Sequence, residues 1–297
     1  MSGGIYTTKK RSDKIVGLGD VSTDNLQDND VLLYNATTGQ WENGIVGGGD
    51  AIELVATNNL VSKLGTAGAN LNSGATENIL LGLNAGNALT GGDKNVCIGS
   101  NTGTKITTGI DNILIGSNAG VNTSTTTNYV IGIGNYSAAG GAGNGSISIG
   151  GTAGTQNAGN ESINIGSEAG RFYNNSVEGY ECINIGRLAG RNQPKAHCVN
   201  IGRQAGQNNN SDDAINIGNE AGKARSGLSS INLGKFANQT NGTTHNQAIV
   251  INATGANVPS VANDTFVVKP IRGVAHGLGV GVMKYDPATG EITYSTT

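Results

Sequence analysis

The chain has 297 residues, of which 49 are glycine and four proline, with aromatic residues at 4 % and charged residues at 13 %. This argues against a disordered chain, which is rich in charge and proline and poor in branched aliphatics. The formal net charge of −3 offers nothing to nucleic acid as a bulk electrostatic partner, and three cysteines cannot form a disulfide framework.

In chain order, the N-terminus MSGGIYTTKKRSDKIVG carries basic residues with no apolar run behind them. No secretory signal is therefore expected, and synthesis in a cytoplasm is. No apolar stretch approaches the ~18 residues that span a bilayer, so no membrane insertion is expected either. Residues 1–50 read as an N-terminal β module. Within it, Tyr34-Asn-Ala-Thr-Thr-Gly-Gln-Trp41 has the pattern of a strand, a glycine turn and a return strand. The glycines of Gly47-Gly-Gly-Asp50 read as a hinge, and residues 51–77 as a linker or neck. Residues 78–255 are repeats. Residues 256–297 read as a C-terminal β tip, in which Tyr285-Asp-Pro-Ala-Thr-Gly-Glu-Ile292 echoes the first module.

The repeat is anchored by a glycine at 82, 99, 116, 134, 150, 166, 186, 202, 218 and 234, with Asn252 in its place in a decayed last copy. Successive anchors lie 16 to 20 residues apart, and Ala stands three residues after most of them. A small-residue period sustained in this way is repeat architecture. Ile163 and Ile165 flank Asn164, as Ile183 and Ile185 flank Asn184, which is the alternation of a β-strand. Sixteen residues are too few for a strand-helix-strand crossover. They suffice for one coil of a parallel β-solenoid, expected to hold two short strands and two turns. Coils stacked at about 4.8 Å would make a rod on the order of 50 Å long.

The expected fold class is all-β: a parallel β-roll or solenoid of 16–20-residue coils with small β modules at both ends. Asn164, Asn184, Asn200, Asn216 and Asn232 recur once per coil and are expected to stack as an amide ladder. Units this small cannot bury a core alone, so a partner is needed, and three chains packed around an axis as an intertwined homotrimer are the expected arrangement. Cys182 and Cys198 occupy equivalent positions in adjacent coils, within disulfide reach. Ser162, Ala214 and Ser230 hold the same position, so small size, rather than a bond, is what the position requires.

The unit Ser162-Ile-Asn-Ile-Gly-Ser-Glu-Ala-Gly170 resembles the head repeat of trimeric autotransporter adhesins, the YadA-like head. That resemblance covers residues 78–255 and implies a left-handed β-roll wound as a homotrimer. Residues 17–44 resemble the short β modules near the N-termini of phage and other viral fibres, and residues 265–297 the tip region of fibre-like proteins from large DNA viruses. Together these imply a virion-surface fibre or spike. Its N-terminal module would attach to the particle, and the chain would contact host surface glycan or protein. A bacterial cell-surface trimeric adhesin and a glycan-degrading tailspike are the alternatives.

No cofactor and no turnover are expected. Hexapeptide acyltransferases share Ile185-Gly-Arg-Leu-Ala-Gly190 but need it every six residues. A tailspike needs two carboxylates facing across a groove, whereas Glu161, Glu168, Glu181, Asp213 and Glu220 alternate with Arg187, Arg203 and Lys223. His276 is the candidate metal ligand, since three copies on a trimer axis would converge. The longest coil carries four extra residues, and its stretch RFYNNSVEGYE brings together Arg171, Phe172, Tyr173 and Tyr180, which are receptor-contact candidates or, equally, local packing over the side of the coil.

Overall fold

The structure is a computed structural model. It describes residues 31–35, 40–44, 52–55, 59–62, 65–72, 74–156, 159–172, 180–192, 195–209, 211–224, 227–239, 245–270, 282–286, 289–290 and 292–295. The described residues form only strands, turns and bends. The first element is an antiparallel hairpin of β1 (Val31–Asn35) and β2 (Gln40–Gly44), with Tyr34 opposite Trp41. A second hairpin pairs β17 (Val282–Tyr285) with β18 (Ile292–Ser295) and sets Tyr285 opposite Ile292. The two echoing sequences therefore share one register.

Between the hairpins runs one sheet of 14 strands in strict sequential order. An antiparallel pair, β3 (Ile52–Val55) and β4 (Asn59–Ser62), opens it. Three-residue strands follow in parallel: β5 (Ile79–Leu81), β6 (Val96–Ile98), β7 (Ile113–Ile115), β8 (Ile131–Ile133), β9 (Ile147–Ile149), β10 (Ile163–Ile165), β11 (Ile183–Ile185), β12 (Val199–Ile201), β13 (Ile215–Ile217) and β14 (Ile231–Leu233). The four-residue β15 (Ile249–Asn252) and β16 (Phe266–Lys269) complete it. This is a β-solenoid, as the period implies. The sheet also overruns the 78–255 segment at both ends, because β3 and β4 come from the expected linker and β16 from the expected tip.

Each coil carries one strand rather than the two expected. Its other side is still bonded coil to coil, as in Gly190 N–H to Ala205 O and Gly206 N–H to Ala221 O, both 2.9 Å. Left-handed residues there, Gly190 and Gly206 among them, preclude an extended strand.

The anchor glycine governs the corner after each strand. Gly186 has φ +128°. Its carbonyl accepts the Ala189 N–H at 3.2 Å, closing a β-turn with Leu188 at φ +63° in its third position. A Cβ on Gly186 would stand 2.6 Å from the Gly202 carbonyl oxygen of the next coil. The same closeness recurs at Gly99, Gly150 and Gly166, so the coils stack backbone on backbone at this corner.

Substituting Gly186→Ala is expected to destabilise the protein by about 2–4 kcal/mol, through both forbidden φ and collision with backbone. Gly151→Ala, where an added Cβ meets nothing within 4 Å, should be neutral or stabilise by up to about 1 kcal/mol. Thermal unfolding of the two variants beside the parent checks this; equal midpoints would refute the corner's role.

Candidate functional site

Three residues of each coil point inward: the one four before the anchor, the middle of the strand, and the one three after the anchor. The last is Ala85, Thr102, Ala119, Ser137, Ala153 and onward to Ala237, all fully buried. The first two columns exchange character along the chain. In the early coils Asn78, Asn95 and Asn112 precede the strands, while Leu80, Cys97 and Leu114 occupy their middles. In the later coils Ser162, Cys182, Cys198, Ala214 and Ser230 precede the strands and asparagine holds the middle. Gly132 lies at the changeover, where a Cβ would press on Leu114 at 2.9 Å and on Ala138 at 3.0 Å.

Both asparagine columns are hydrogen-bonded ladders. In the later one, the Asn184, Asn200, Asn216 and Asn232 side-chain N–H groups each donate to the amide oxygen of the preceding coil's asparagine at 2.8–2.9 Å. The ladder needs glycine at 170, 190, 206 and 222, four residues after the anchor, because a Cβ on Gly206 would overlap the Asn200 amide; Asn238 holds that place in the last ladder coil. The earlier ladder runs through Asn59, Asn78, Asn95 and Asn112. Asn78 Oδ1 accepts both the backbone and the side-chain N–H of Asn95, at 2.9 and 3.1 Å. Asn95 Nδ2 then donates to the Gly109 carbonyl at 2.8 Å, clamping the loop. This second ladder escaped the sequence reading, although its signal, asparagine four residues before three successive anchors, is plain in the chain.

The strand residues on either side of each middle point outward. From β5 to β15 all of them are Ile, Val or Leu, stacked in register. They are partly covered, the most exposed being Ile113 at 37 % and Ile217 at 38 %. Eleven strands at about 4.8 Å make an aliphatic face on the order of 50 Å long. In the later coils the polar amides are thus inside and the largest aliphatics outside, the reverse of an ordinary monomer, whereas the early coils also bury Leu80, Leu89, Ile106 and Leu114.

The four receptor-contact candidates separate. Phe172 is buried, 5 % exposed, so it is interior packing rather than contact surface. Arg171 pairs with Glu168 at 3.3 Å, a carboxylate it shares with Arg191 at 3.1 Å. Tyr180 is 37 % exposed. Tyr173 and His276 lie outside the described residues. His197 sits between Asp213 at 3.2 Å and Glu181 at 3.9 Å, and His245 Nδ1 lies 2.9 Å from Ser260 Oγ. Among the described residues no three His, Cys, Asp or Glu side chains gather as a metal site.

Glu220 resists ionisation through burial. Its hydrogen bond from Lys223 and the charges of Lys223 and Arg203 outweigh that and hold its carboxyl below the usual range. This carboxylate is committed to ion pairs. Cys182 and Cys198 are both free thiols in one small buried cluster with Ala214. Hydrogen bonding from Cys198 lowers the Cys182 thiol, and the same contact, with burial, raises Cys198. Burial alone pushes Cys97 up to about 12.

Replacing Asn200 by Ala strands the Asn184 oxygen and an Asn216 N–H without their ladder partner, and should cost about 2–4 kcal/mol. Asn232→Ala, at the end of the ladder, breaks one such bond and should cost about half as much. Urea unfolding measures both; equal small losses would show that the ladder contributes little.

Comparisons with protein-family models, with characterised proteins and with solved structures find no match to this chain.

Proposed function

We propose that the chain is a structural and adhesive fibre or spike of a virus or phage, assembled as a homotrimer about its aliphatic sheet face. The observation that carries this reading is the inversion of polarity. Alanine, serine and asparagine fill much of the coil interior, while paired aliphatics line the outside of one sheet from β5 to β15. Taken about 10 Å wide, that face covers on the order of 500 Å², at the upper end of what a soluble monomer leaves bare. A second and third copy match it best, since each brings the same strip with the same spacing.

In this reading the N-terminal module attaches to the particle and the solenoid forms the shaft. The chain projects from the virion surface and meets glycan or protein on a host. No turnover, cofactor or nucleic acid belongs to it. Support from the sequence is the head-like repeat and the fibre-like flanks. Support from the structure is the solenoid with an antiparallel hairpin towards each end.

Light scattering after size exclusion should give a mass near three times 30.0 kDa. The double variant Ile165→Lys/Ile217→Lys, which charges the face without touching the interior columns, should shift the mass to that of one chain. A folded parent monomer would sink the trimeric fibre, and so would a variant that stays trimeric.

A further inference from the structure

We infer that a groove on the loop side of coils β7 to β10 is a binding site for a short oligosaccharide, with Tyr136 as its stacking platform. The groove encloses about 530 Å³, within the range of small-ligand sites. It lies on the run after the anchor turn, so it does not compete with the aliphatic strand face. This assignment deepens the adhesive reading above, which gives the site its use, and names its ligand class.

The groove follows from residue size. Five and six residues after their anchors, successive coils carry Val121-Asn122, Ala139-Gly140 and Thr155-Gln156, and the next coil places Arg171 there. The Ala-Gly pair cuts the wall back between two taller ribs. Four coils span about 14 Å from Val121 to Arg171, the length of two or three sugar rings. Asn122 and Gln156 present exposed amides along it, and Thr152 and Thr155 line it as well. Amide and guanidinium donors beside an aromatic ring are the chemistry that sugar hydroxyls and a sugar C–H face require.

Tyr136 is the aromatic residue of the groove. The second residue after each anchor is left-handed, and Asn84, Asn101 and Asn118 meet that demand with φ of 57°, 55° and 57°. Tyr136 adopts φ 53° at the same position, where an aromatic is strained, and remains 46 % exposed. Leu188 at the equivalent position is buried, and Phe236 is covered by Lys235 at 4.7 Å. Of the two exposed left-handed tyrosines among the described residues, Tyr136 and Tyr129, Tyr136 is the one that lines the groove.

The test uses the intact protein with three trisaccharides: maltotriose, chitotriose and 3′-sialyllactose, read by saturation-transfer NMR and titration. Transfer to the ring protons of at least one is expected, and a preference for sialyllactose would place its carboxylate at Arg171. Tyr136→Asn restores the residue of the three earlier coils, so it should leave the unfolding temperature unchanged and weaken binding about tenfold or more. Tyr129→Asn is the matched control: Tyr129 is also left-handed at φ 59° and exposed, but lies outside the groove, and binding should stay within about twofold. No transfer from any of the three, or equal binding by Tyr136→Asn, would overturn the site. Absent binding with a trimeric mass removes the groove and leaves the fibre reading standing. Tyr136-dependent binding by a monomer does the opposite.

Discussion

The structure depends on one close contact, the stacking of peptide backbone on peptide backbone at the anchor corner. With only 2.6 Å between a Gly186 Cβ and the Gly202 oxygen, no side chain fits between coils there. Each coil must therefore return to the same lateral position before the next begins. That single constraint turns a sequence period into spatial columns, because residues at equal distance from their anchors stand one above another. Variation in coil length leaves strand and corner alone: the longer coil from Gly166 to Gly186 keeps the same anchor, turn and strand pattern as its neighbours.

Columns make identical neighbours, and identical neighbours reward side chains that bond to themselves. Asparagine carries a donor and an acceptor on one amide, so a stack of them satisfies itself along the axis. Serine or alanine beside it keeps the coil narrow. The two halves solve one volume problem in opposite ways. Where asparagine precedes the strand, leucine or cysteine fills its middle and Leu89 or Ile106 packs from the loop; where asparagine takes the middle, the preceding residue shrinks. The later half thereby gives up most of its internal aliphatics and leaves its largest ones, the strand isoleucines, facing out.

Much of this was legible in the chain. Anchor spacing gave the solenoid, the recurrent Ile-Asn-Ile gave strand and ladder, and the Tyr34 and Tyr285 echoes gave two hairpins of one register. What escaped had physical causes. One strand per coil instead of two follows from left-handed residues such as Gly190, whose φ a sequence does not print. The burial of Phe172 depends on which way a residue turns just past a corner, and periodicity is silent once an insertion breaks it. The groove was hidden because it is made by what Ala139 and Gly140 lack, relative to neighbours that are near only after folding.

The columns also separate a uniform face from a varied one. The strand face repeats Ile, Val or Leu at every outward position from β5 to β15, and such uniformity suits a partner with the same repeat. A varied ligand needs the opposite, a place where the columns are broken. The run after the anchor turn provides it: Val121, Ala139, Thr155 and Arg171 share one column and differ in size, polarity and charge. Mutational drift in that column changes neither the anchor corner nor the amide ladders. A solenoid of this design can therefore hold its stacking surface fixed while the loop side varies coil by coil, as it does where Tyr136, Ala139 and Gly140 line one groove.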